Sequence, residues 1–151
     1  MNAKEMLQKL GYTLPTPPQR GGLYTHVRIV GKLVFVSGIG TPMLEDKEYR
    51  GKVGKDVDPE TAKRIAEQCA LSILSCLDFN VGLENIKSLV RLYGMVQSAE
   101  GFVKQPKVID GASALFNQIF PDSTGHTRMA VGTNQLPENL PVEIETVFEL
   151  C

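Results

Sequence analysis

Residues 56–80, DVDPETAKRIAEQCALSILSCLDFN, decide how the rest of the chain is read. A carboxylate at Asp58 can accept from the free N–H groups of a first helical turn, and Pro59 suits a helical position where no N–H is needed. Beyond them Ala62, Ile65, Ala66, Cys69, Ile73, Cys76 and Leu77 recur at the three- and four-residue spacing of one helix face. A long helix with a single apolar stripe needs an apolar surface to lie on. The segments around it supply strands, so it is expected to cover a sheet.

Upstream, residues 23–30 (LYTHVRIV) and 32–40 (KLVFVSGIG) read as a hairpin turning at Gly31 and Lys32. Residues 41–55, charged and Gly-rich, read as an exposed loop. Downstream, residues 86–98 (IKSLVRLYGMVQS) read as a strand with Val90, Leu92 and Val96 on one face and Arg91 and Tyr93 on the other. Residues 105–121 predict a second helix that turns Val108, Ala112, Leu115, Phe116 and Ile119 inward and stops at Pro121. Residues 126–133 (HTRMAVGT) and 141–150 (PVEIETVFEL) complete the strands. The order ββαβαββ predicts an α+β two-layer domain, a mixed β-sheet with two helices on one face.

A length of 151 residues is that of one domain, and no internal repeat divides it. Residues 1–20 are its entry: a short amphipathic helix from Ala3 to Leu10, then a Pro-rich extended lead-in. With 16 basic and 17 acidic residues the net charge is −1, which removes any bulk attraction to nucleic acid or to an anionic membrane. The N-terminus lacks the apolar centre of a signal peptide, and no run approaches the ~20 apolar residues of a membrane span, which points to the cytoplasm. Of the three cysteines, Cys69 and Cys76 would sit about 10 Å apart along one helix, too far for a disulfide, and are expected as reduced core residues.

In the last strand Val142, Ile144, Thr146, Phe148 and Leu150 alternate with Glu143, Glu145, Val147 and Glu149. The first set belongs under the helices. The second, with Arg91 and Tyr93, lies on a face the helices leave bare, and its mixture of apolar and charged residues predicts contact with other subunits. Among small and apolar neighbours stands Arg128, whose guanidinium is always charged and forked to fit a carboxylate or phosphate. It either meets solvent or receives an anion. His126 shares its strand face by the two-residue period and titrates near neutrality. Read as residues alone, Glu143 and Glu145 are the polar side of an alternating strand, and Tyr24 is a packed aromatic.

The stretches GGLYTHVRIVGKLVFVSG (21–38) and HTRMAVGTNQLPENLPVEIE (126–145) resemble the Rid/YjgF family of small trimeric proteins, in the branch labelled endoribonuclease L-PSP or chorismate mutase-like. The first is similar to the family's Gly-x-Tyr strand, turn and Ser-Gly-ended strand. The second is similar to its arginine, Leu-Pro and Val-Glu-Ile-Glu signature, here Arg128, Leu136–Pro137 and Val142–Glu145. The resemblance implies a chorismate mutase-like homotrimer with clefts between subunits, where a small carboxylate or imino acid binds without metal or cofactor. It implies that Arg128 clamps the ligand carboxylate and that Glu143 activates a water to hydrolyse enamines and imines of 2-amino acids to 2-keto acids and ammonia. Tyr24, His126 and main-chain groups near Ala130 would supply further contacts. Two positions depart from the deaminating branch: Ala130 stands where a cysteine is common, and Gly132 where a glutamate is. These departures favour an alternative, a non-catalytic trimer that binds a carboxylate or keto acid for regulation. Endoribonuclease or translation-inhibitor activity, drawn only from the branch label, ranks below both, because the chain has neither net positive charge nor an aromatic-rich basic strand. Chorismate mutase chemistry needs several cations around a dicarboxylate, and Arg128 alone is identified.

Overall fold

The first helix is fixed by its own ends. Asn2 accepts from the Glu5 N–H, Glu5 accepts from the Asn2 N–H, and α1 (Ala3–Lys9) follows. The computed structural model describes all 151 residues. After α1 come β1 (Val27–Val30), β2 (Leu33–Gly40), a short pair β3 (Met43–Leu44) and β4 (Lys47–Glu48), α2 (Pro59–Asn80), β5 (Ile86–Gln97), α3 (Gln105–Ile119), β6 (Thr127–Thr133) and β7 (Val142–Leu150). The main sheet has the order β1-β2-β7-β5-β6; β5 and β6 are parallel, joined by the α3 crossover, and the other neighbours are antiparallel. This is the expected α+β two-layer domain with a mixed sheet, extended by α1 and the β3–β4 pair.

Asp58 caps α2 by accepting from the Thr61 N–H, Pro59 occupies its first turn, and all seven residues of the stripe are buried. They lie on Val34, Val36, Ile39, Leu92, Val96, Val142, Ile144 and Phe148 of the sheet, which are likewise buried. Phe116 and Phe120 close on Phe148 edge-first, at centroid distances of 5.4 and 6.0 Å. The two long helices pack side by side because position 111 is glycine: a Cβ there would lie 2.1 Å from the Lys63 carbonyl oxygen. Cys69 and Cys76 are free and buried, and burial pushes their thiols up to about 12 and about 11. No helix is long and apolar enough to cross a membrane.

Three expectations are corrected. Val90 does not face the helices: Leu89 pairs with Phe148 and Arg91 with Val147, so Val90 is an inserted bulge residue and is exposed, while Leu89 takes the inward place. The first strand begins at Val27, and Leu23 lies wholly exposed before it. Residues 41–55 are more than an exposed loop, since Leu44 and Val53 are buried and Val53 bridges to Ser98. Strict alternation and composition cannot register an extra residue or a single anchoring valine. The face away from the helices carries Leu33, Phe35, Tyr93, Met95, Met129 and Val147 among charged residues, and no element of the chain covers it.

Candidate functional site

A bulge in β2 builds the hollow on that open face. Between the pairs Val36–Thr146 and Ile39–Ile144, β2 holds one residue more than β7, and Ser37 and Gly38 take up the difference. Ser37 ties down the lead-in: its N–H donates to the His26 carbonyl (2.8 Å) and its hydroxyl to the Thr25 carbonyl (2.6 Å). Gly38 makes room, because a Cβ there would lie 2.8 Å from Glu143 Oε1. The result is a hollow of about 700 Å³ whose lining includes Tyr24, His26, Ser37, Gly38, Glu143 and Glu145.

Glu143 is the chemically distinctive group in it. Loss of hydration holds its carboxyl above the ordinary value, and the neighbouring charge of Glu145 adds to the effect. A carboxylate so placed is a stronger base than one in water. Tyr24 accepts from the Gly21 N–H through its hydroxyl (3.0 Å), which leaves that hydroxyl's own proton available. The tyrosine ring meets the His26 ring edge-on, at 5.9 Å between centroids.

The rim opposite is the Leu-Pro turn, and a buried glutamine holds it. Gln97 accepts from the Leu136 N–H (2.6 Å) through its side-chain oxygen and donates to the Asn139 side chain (2.7 Å) through its nitrogen. Arg50 donates to the Glu138 carbonyl (2.6 Å), and the Gly51 N–H donates to the Asn139 carbonyl (2.9 Å). These bonds fix Glu138 and Asn139 in the left-handed region, each with φ near 58°, which costs a non-glycine residue of order 1 kcal/mol or more. The segment 41–55 thus supports the rim of the hollow.

Arg128 lies elsewhere. It sits on the edge strand β6 opposite the inward Leu92, and its guanidinium reaches α3, where Nη1 donates to Asp110 Oδ1 (2.6 Å) and to Ser113 Oγ (3.2 Å). His126 joins the same cluster: Nε2 meets Ser113 Oγ (3.1 Å) and Nδ1 meets the Ser123 carbonyl (2.5 Å), which makes Nδ1 the protonated nitrogen in the neutral ring. Ala130 pairs with Gly94 on β6, whose outer backbone edge has no neighbour in the sheet. Glu143 aligns across the sheet with Met95 and Val131, so Arg128 is two strands and three residues away, roughly 14 Å by strand spacing and rise, and on the opposite face. Within one chain the structure therefore brings Tyr24 and Glu143 together, and separately Arg128 and His126.

His26 and Gln97 were not singled out in the sequence, and Ser37 and Gly38 entered only as the Ser-Gly end of a strand. The Ser-Gly break in an otherwise alternating strand is the signal for Ser37 and Gly38, and the shared parity of Tyr24 and His26 is the signal for His26. Nothing local marks Gln97, whose partners lie about forty residues on.

An α+β two-layer domain with a small-molecule-sized hollow on its bare face defines a class of protein. Residues 5–148 match the family described as "YjgF/chorismate_mutase-like, putative endoribonuclease", and the chain belongs to it. Protein TCP17 of Trypanosoma cruzi is 32% identical over 146 residues, 95% of this chain and 91% of that one. The crystal structure of Atu1372 from Agrobacterium tumefaciens, a protein of unknown function, is 38% identical with a TM-score of 0.87, covering 99% of this chain and 92% of that one. The E. coli protein TdcF, solved with bound serine, shares the fold at 20% identity and a TM-score of 0.57, over 91% of this chain and 94% of its own.

Proposed function

We propose that this chain hydrolyses small 2-imino and 2-enamino acids in clefts formed between the subunits of a homotrimer. The observation that carries the reading is Glu143, a half-buried carboxylate held above its ordinary pKa on the wall of a hollow large enough for a small acid. Glu143 takes a proton from water as the water oxygen bonds to the C=N carbon. The π electrons of the protonated imine move to nitrogen, giving a neutral carbinolamine. Glu143 returns its proton to nitrogen and takes the hydroxyl proton as the C–N bond breaks, which releases ammonia and the 2-keto acid. The Tyr24 hydroxyl offers a polar contact to the ligand.

The carboxylate clamp must come from another copy, because Arg128 and Glu143 of one chain face opposite ways. The bare face, with Leu33, Phe35 and Met129 exposed, is a surface on which copies can pack. At a subunit boundary Arg128 of one copy can complete the Glu143 hollow of the next, and main-chain groups near Ala130 and the imidazole of His126 arrive with it. That TdcF binds serine supports a ligand of this size and polarity in the fold.

Ala130 and Gly132, standing where the deaminating branch carries a cysteine and a glutamate, favour a second reading, a trimer that binds keto acids for regulation without turning them over. One assay separates the two. The hydrolytic protein accelerates 2-iminobutyrate breakdown over the spontaneous rate, read by coupled ammonia detection. A regulatory trimer binds 2-ketobutyrate by calorimetry and adds nothing to that rate. Light scattering tests the assembly, and a monomer mass at micromolar concentration sinks the shared cleft.

A further inference from the structure

The Glu143 hollow contains a second polar residue whose hydrogen-bonding capacity the protein leaves unused. Both ring nitrogens of His26 are buried, and no group of the protein lies within hydrogen-bond reach of either. A buried polar atom left unpaired costs about 1–3 kcal/mol, so two in one ring call for an explanation. The backbone does not let His26 escape: its carbonyl accepts from the Ser37 N–H, and Ser37 Oγ holds the residue before it. The ring also stands between two cavities. It lines the Glu143 hollow and, with Pro18 and Gln19, an adjoining hollow of about 680 Å³ beside Asn80 at the end of α2. A ligand entering either one meets His26.

The charge of the Glu143 hollow identifies the part of the ligand that faces it. Glu138, Glu143 and Glu145 line it, and within one copy no lysine or arginine does, so with Arg128 of a neighbouring copy taken up by the ligand carboxylate these side chains face the other end. Such a lining favours a group that carries N–H donors or positive charge. We propose that His26 is a direct contact for the nitrogen-bearing end of the ligand, an amine or iminium. In this contact the ring turns from its buried position so that its unprotonated nitrogen accepts one N–H while the acidic side chains balance the charge. This assignment rests on the proposed imine chemistry for the identity of the ligand, and it adds the residue that tells a nitrogen substituent from an oxygen one.

The test uses the full chain, in which His26 and His126 are the only histidines, so a protein labelled at histidine nitrogen shows two imidazoles. The probes are 2-aminobutyrate, which carries the nitrogen, and 2-ketobutyrate, the same carbon frame without it. Bound 2-aminobutyrate is expected to shift the His26 ring nitrogens more than bound 2-ketobutyrate does. His26→Phe is expected to weaken 2-aminobutyrate about tenfold, the loss of one good hydrogen bond, with a smaller effect on 2-ketobutyrate. His26→Gln, which keeps a donor and an acceptor, is expected to retain amine binding within about threefold. The proposal is overturned if bound 2-aminobutyrate leaves the His26 nitrogens unmoved, if His26→Phe weakens both probes equally, or if wild type binds neither at millimolar concentration. Accelerated imine hydrolysis with unmoved His26 signals removes only this contact. Moved signals without acceleration remove only the hydrolytic reading.

Discussion

The hollow around Glu143 and the cluster around Arg128 are both polar, yet they differ in how much of their chemistry is already used. In the Arg128 cluster each member has a partner: Asp110 takes the guanidinium, Ser113 links it to His126, and the Ser123 carbonyl takes the other imidazole nitrogen. In the hollow, neither ring nitrogen of His26 has one, and Glu143 sits where its charge is disfavoured. A partnered cluster has little to gain from a ligand except through donors still free, here the Arg128 nitrogens other than Nη1. An unpartnered one gains from the first suitable group that enters. The contrast assigns orientation to the cluster and contact chemistry to the hollow.

The sharpest way to break the contrast is Glu143→Gln, which keeps the shape and one acceptor but removes the base. It should retain carboxylate binding and lose about 10²–10⁴-fold in the rate of 2-iminobutyrate hydrolysis. Equal rates in variant and wild type would move the base elsewhere, with His126 the next candidate. Arg128→Ala comes next. Loss of a charge-assisted clamp costs roughly 2–5 kcal/mol, so calorimetry should show 2-ketobutyrate weakened by at least about 30-fold. Unchanged affinity would leave Arg128 as no more than the partner of Asp110.

Smaller effects sharpen the comparison. Gln97→Leu strands the Leu136 N–H and should cost about 1–3 kcal/mol in a denaturant melt while leaving the Arg128 cluster intact. Asp110→Asn removes only a partly exposed ion pair, so its effect on stability should stay below about 1 kcal/mol. A cost of several kcal/mol would show the cluster to be a structural keystone. The smallest expected effect is a pH dependence. The folded pKa of Glu143 lies above its unfolded value, so the folded chain binds the proton more tightly, and Glu143 makes stability fall as pH rises from the ordinary carboxylate range through the raised pKa. Thermal melts of Glu143→Gln should therefore exceed wild type at neutral pH, and the gap should close as the pH falls below about 4.5.

Much of the fold was legible because it is periodic. The α2 stripe, its Asp58 cap, the inward set of α3 and the alternation of β7 each follow from spacing alone. The signature at Arg128 and Val142–Glu145 marked the correct strands, but sequence order is silent about which face an edge-strand side chain takes. It therefore could not say that Arg128 turns to α3 while Glu143 faces away from it. His26 was hidden for a related reason: an unpaired nitrogen is defined by what fails to reach it, and that is decided in three dimensions.

The extra residue at Val90 has a consequence for how chains of this kind drift in length. Leu89 and Arg91 already oppose consecutive residues of β7, so the backbone between them holds one unit more than the ladder needs. Deleting Val90 would join two properly paired neighbours, whereas deleting Leu92 would reverse the facing of every residue on one side of the gap. Insertions and deletions can thus accumulate inside this strand at Val90, and at the like shift beside Lys87, without disturbing the core. An alignment across β5 that forbids a gap there would pair inward residues of one protein with outward residues of another.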